Sequence, residues 1–145
     1  MAEYILTLVI GIAGGAAVGL QAPIVGAMGQ RIGGTASSFV VHLSGLVFSA
    51  AWLIYRKGEN IQEAVNLPWY MLAAGIFGLI LYQSISITLP RLGATMMITL
   101  IIVGQLMVGV LIDHFGLLGV SIKALDLNRI AGVVALLLGA YLVAK

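Results

Sequence analysis

Charged side chains divide this chain into long silent intervals. None stands between Glu3 and Arg31, between Arg31 and Arg56, between Glu63 and Arg91, or between Arg91 and Asp113. Leu, Ile, Val, Ala, Met and Gly fill the space between them. A helix needs roughly 20 mostly apolar residues to cross a bilayer, and these intervals supply that length. Soluble domains carry about 25% charged residues; this chain carries 8%, with 61% hydrophobic residues. So few charges cannot clothe a globule of 145 residues. An integral membrane protein, with the lipid bilayer as its partner, is the class that remains.

Five segments read as spans, at about 4–22, 35–55, 69–89, 94–113 and 127–144. They predict a single all-α, five-helix membrane domain over residues 1–145. Gln21-Ala-Pro23 is expected to end the first helix. "RKGENIQEAVNLP" is the clearly aqueous loop, and Pro68 can open the third helix at its first turn. "LPRLG" at 89–93 reads as a tight connection, and 116–128 as a longer loop, apolar enough to lie at the interface. Gly116 can end the fourth helix in a left-handed cap. Asp126 or Asn128 can cap the last helix. A β-barrel predicts alternation over strands of about 10 residues, and "MMITLIIVGQLMVGVLI" does not alternate. The first apolar run lacks the basic lead of a signal peptide and reads as a helix that stays.

Small residues line the helices in rows. Thr7, Gly11, Gly15 and Gly19 recur every fourth residue, and such rows let helices approach closely in lipid. Thr35, Ser38, His42, Gly45 and Ser49 form a polar stripe on the second helix. The third carries Gly75, Gly78, Tyr82 and Ser86, with Gln83 adjacent. The fourth aligns Gln105, Gly109 and Asp113, and the fifth offers Gly132 and Gly139. Gly11, Gly15, Gly19, Gly45 and Gly109 are the expected helix-packing positions. Tyr4, Trp52, Tyr55, Trp69 and Tyr70 fall at one surface as an interfacial belt, while Tyr82 lies deeper and can line a site.

Positive charge sets the orientation of a membrane protein. Arg56, Lys57, Lys123 and Arg129 fall on one surface; Arg31, Arg91 and Lys145 fall on the other. Four against three leaves two readings open: a single orientation with Arg56 and Lys57 inside, or insertion both ways. Copies in opposite orientations would build the inverted repeat that many transporters hold within one chain. A shorter repeat, "RIGGT" at 31–35 and "RLGAT" at 91–95, begins two of the helices.

Three stretches carry a family resemblance. "GLQAPIVGAMGQRIGGTASSFVVHLSG", "PRLGATMMITLIIVGQLMVGVLIDHFGLLG" and "RIAGVVALLLGAYLVAK" are similar to the YdcZ-like small bacterial membrane proteins of the drug/metabolite transporter superfamily. The resemblance covers nearly the whole chain. It implies five transmembrane helices, half of a drug/metabolite-transporter-like inverted repeat, in the bacterial cytoplasmic (inner) membrane, and a small-molecule exporter role. One departure stands out: where the family often has an asparagine, this chain has Gly26.

Polar residues within the spans mark the candidate site. Gln105 offers two donors and an acceptor; it is either interhelical glue worth about 1 kcal/mol or a group that orients a solute. Gln21 and Gln83 present the same choice. Intramembrane ionisable residues are functional candidates by default, and histidine is the side chain that ordinarily titrates near neutral pH. His42 is therefore the deep candidate for proton coupling, or else a histidine satisfied by Ser38. Asp113 and His114, at the end of the fourth helix, form a structural polar cluster, with Asp113 expected to pair with Lys123 or Arg129. The expected substrate-binding set is Gln21, His42, Tyr82, Gln83 and Gln105, lining a cavity between the first four helices that suits a small polar solute.

Several classes fall away. The chain has no cysteine, so no disulfide or thiolate site forms. His42 and His114 lack metal-ligand spacing; no metal, cofactor, catalysis or nucleic-acid partner is expected. No carboxylate lies in a helix interior, so carboxylate-driven antiport is not supported. Two functions remain. One is a transporter subunit working by alternating access, expected as a homodimer, antiparallel if insertion is dual. The other is a non-transporting scaffold or small channel subunit, in which the same residues only pack helices.

Overall fold

The computed structural model describes residues 1–143. Among them every regular element is helical, as the uncharged apolar runs require. Helix α1 spans Ala2–Ile32, α2 spans Gly34–Tyr55, α3 is a single turn at Trp69–Leu72, α4 spans Gly75–Phe115 and α5 spans Leu127–Val143. Ala144, the last residue of the expected fifth span, and Lys145 lie outside the described residues. Ala2–Ile32, Gly34–Tyr55 and the run Trp69–Phe115 are each long and apolar enough to cross a membrane; Leu127–Val143 is apolar but shorter.

The run Trp69–Phe115 is not one rod. Gly93 breaks it, with φ 73° and ψ 170°, a backbone region open essentially to glycine alone. The arms on either side, 75–92 and 94–115, each have about the length of one crossing. The connection expected at 89–93 is thus a single residue, and the helix continues through Pro90 until Gly93. The same device separates α1 from α2, where Gly33 has φ 87° and ψ 150°. These two glycines hold the same place in "RIGGT" and "RLGAT".

The first helix does not end at Gln21-Ala-Pro23 as its sequence suggests; α1 runs to Ile32 with Pro23 inside it. Proline removes one backbone hydrogen bond and crowds the carbonyl four residues earlier. Packing offsets that cost. Ala22, Val25, Gly26 and Gly29 are buried along one side of α1, at helical spacing. Ile85 and Leu89 lie where a side chain at Gly26 would project, and Ser86 lies over Gly29.

The chain divides into two compact units, residues 1–91 and 92–145. In the first, α2 packs on α1, with Ser37, fully buried, donating its hydroxyl to the Val25 carbonyl at 3.0 Å. Between α2 and α3 the aqueous loop turns through left-handed Lys57, Gly58 and Glu59 into a 3-10 turn at Ile61–Asn66. The Arg56–Glu59 pair at 2.8 Å is well exposed and contributes little. Pro68 stands before α3, as expected. In the second unit, Gly116 closes α4 in the left-handed conformation, φ 63° and ψ 31°. Asp126 caps α5, its Oδ1 accepting from the Arg129 backbone at 2.7 Å. Apart from buried Val25, Ile85 and Met97, the large apolar side chains of both units are mostly partly or fully exposed, as lipid-facing helices require.

Candidate functional site

The polar residues of the first unit gather where arm 75–92 meets α1 and α2. Their spacing puts them there. Ser38 and His42 are one turn apart on α2; Gly78, Tyr82 and Ser86 follow at four-residue steps on the arm, so each set shares a face. His42 Nδ1 lies 2.7 Å from the Ser38 carbonyl oxygen and 3.3 Å from Ser38 Oγ. A carbonyl only accepts, so in the neutral ring Nδ1 carries the hydrogen and Nε2 presents a lone pair. That nitrogen aims at Gly78, where an added Cβ would stand 2.7 Å from it. Tyr82 forms the wall of the notch, its ring edge-on to His42 with centroids 5.4 Å apart. Neither His42 Nε2 nor the Tyr82 hydroxyl has a hydrogen-bond partner among the described residues.

A second group of polar contacts binds the arm to the α1–α2 corner. Gln83 Nε2 donates to Thr35 Oγ1 at 2.7 Å. Gln30 Nε2 donates to the Ser86 carbonyl at 2.7 Å. The second bond has a covalent cause: Pro90 lies four residues beyond Ser86 and has no N–H to give that carbonyl. Gln30 replaces it. Gly29 and Gly34 allow the approach, since a Cβ at either would run into Ser86 Oγ or Gln83 Oε1. Ser86 Oγ itself is buried without a hydrogen bond.

In the second unit, Asp113 pairs with Arg129, not with the Lys123 side chain: Oδ2 and Nη2 are 3.2 Å apart, each side chain about one third exposed. Arg129 Nη1 also donates to the Lys123 carbonyl at 3.1 Å, and the Lys123 N–H donates to the Asp113 carbonyl at 2.8 Å. His114 Nδ1 accepts from the Leu125 N–H at 3.4 Å. This cluster ties the 116–126 loop to the helix ends. It also stands at the head of a groove of about 390 Å³ between Leu106, Gly109 and Val110 on one helix and Gly132, Val133 and Leu136 on the other.

Of the expected site residues, His42, Tyr82 and Gln83 come together in the first unit. Gln21 is exposed on α1, and Gln105 is exposed on 94–115; neither has a hydrogen bond among the described residues. Gly11, Gly15, Gly19, Gly45 and Gly109 meet nothing within 4 Å. The glycines in close contact are instead Gly26, Gly29, Gly34 and Gly78, with Gly116 against Ile122 in the second unit. Gln30 and Ser86 were not singled out as site residues from sequence, although Pro90 signals an orphaned carbonyl at Ser86.

Long apolar helices with polar groups turned toward one another define a helical membrane protein. The chain matches, over residues 6–142, the family described as "Putative inner membrane exporter, YdcZ". It is 31% identical over 123 residues to the inner membrane protein YdcZ of Escherichia coli (strain K12), covering 79% of this chain and 81% of that protein. The chain belongs to the YdcZ family. No solved structure matches it.

Proposed function

We propose that the protein is a subunit of a small-molecule exporter in the bacterial inner membrane, moving a polar, neutral or weakly charged solute by alternating access. The observation that carries this reading is the His42–Tyr82 notch: a ring nitrogen and a phenol with no hydrogen-bond partner among the described residues, on predominantly apolar helices. A polar group in hydrocarbon is costly without a partner, and a solute bearing hydrogen-bond donors supplies one. Gln105, exposed and without a hydrogen bond among the described residues, offers a separate polar group in the second unit. The family's exporter description agrees with this reading. The unneighboured glycines of α1 and α2 support assembly as a homodimer.

A scaffold reading draws on Gln83 and Gln30, whose amides serve as interhelical glue. Thermal-shift screening of a solute panel on purified protein separates the two. Transport predicts that at least one polar solute raises the melting temperature, and that Tyr82→Phe weakens the shift while still inserting and folding. Normal binding by that variant removes the Tyr82 hydroxyl from the site; no response to any solute favours the scaffold.

A further inference from the structure

We propose that His42 is a proton-binding site whose charge state decides whether α2 and arm 75–92 stay closed on each other. The proposal rests on the transport reading for its purpose, since it names the coupling ion; its geometry stands apart from that reading.

The closed contact is built for the neutral ring. Nδ1–H is committed to the Ser38 carbonyl, so a proton taken up from water must add at Nε2. That nitrogen faces Gly78, close enough that even a methyl group there would stand 2.7 Å away. Within a helix, the backbone carbonyl is already bonded to the N–H four residues on, and glycine has no side chain to accept. The imidazolium N–H would therefore point at a Cα hydrogen. Tyr82 is the titratable group in contact with the ring, edge-on; α2 carries no charged side chain from Gly34 to Tyr55, α1 carries none from Tyr4 to Gln30, and arm 75–92 carries only Arg91, at its far end. Among the described residues of these three helices no carboxylate faces the charge. An unpaired charge in such surroundings is strongly unfavourable; once out of the notch the charged ring requires water or a solute as its partner.

The sign follows by linkage. The closed contact has room only for the neutral ring, so a proton added at Nε2 is expected to release it. Uptake of a proton and release of the arm are then one event. In the opened state a solute donor bonded to Nε2 competes with the proton for the same lone pair, which is the exchange an antiporter requires.

The chain has no cysteine, so a spin-label pair can be placed without background. Phe48→Cys on α2 and Ile76→Cys on the arm are both exposed, at 77% and 59%. Their label separation, measured in lipid vesicles, is expected to be short and narrow at pH 8 and longer at pH 5. His42→Gln should abolish the pH response, His114→Asn should keep it, and Gly78→Ala should give the longer separation at both pH values. A separation unchanged from pH 8 to pH 5 overturns the proposal, as does a response that survives His42→Gln. The titration of the otherwise unaltered labelled chain needs no further variant to fold. Opening by acid with no solute movement keeps the proton site and defeats the transport reading. Solute movement with a static separation does the reverse.

Discussion

Gln30 supplies a hydrogen bond that Pro90 cannot make. Its amide reaches the Ser86 carbonyl across two helices, and without it that carbonyl would lie unsatisfied at a helix contact. Leaving such a group unpaired costs about 1–3 kcal/mol. Gln30→Leu should therefore destabilise the folded protein by roughly that amount, read by unfolding in mixed micelles. Pro90→Ala restores an N–H that the Ser86 carbonyl can accept within its own helix. In that background Gln30→Leu should cost clearly less. Equal costs in the two backgrounds would show that the amide is not serving Pro90's carbonyl.

At the level of the helix, small residues divide into two kinds. Gly29 admits Ser86 so closely that any Cβ collides with it, and overpacking of this kind costs typically 1–3 kcal/mol. Gly29→Ala should destabilise the first unit by about that much, while Gly14→Ala, on an open face, should leave stability nearly unchanged; a reversal of that order would refute the assignment. The sequence showed that helices exist, where the aqueous loop lies, and the caps at Gly116 and Asp126. It misread α1 because Pro23 is a strong local stop, and only the burial of Ala22, Val25, Gly26 and Gly29 against another helix overrides it. The regular row Gly11–Gly15–Gly19 drew attention by its period, yet nothing among the described residues lies within 4 Å of a side chain placed there. The close glycines of the first unit, 26, 29, 34 and 78, obey no single period because they lie on three different helices. Of the site, His42 with Tyr82 was legible from their shared stripes. The partners of Gln83 and Gln30 were not, since a glutamine's reach says nothing of which helix it meets.

For the molecule as a whole, Gly11, Gly15 and Gly19 form an open row on α1, and such rows are how helices associate where no hydrophobic drive exists between them. A second copy is the occupant proposed above. Cross-linking in native membranes should capture a dimer, and Gly15→Leu should lower its yield severalfold while monomer folding persists. Monomer alone at every expression level would count against this assembly. One consequence of the two helix breaks concerns handedness. Gly93 sits at φ 73° and ψ 170°; reflected, these angles become −73° and −170°, close to ordinary extended backbone. A mirror-image alanine placed there by chemical synthesis would be at ease, while its natural enantiomer would be strained. At this corner the chain is written for the opposite chirality, and an achiral residue is the sole member of the genetic code that can comply.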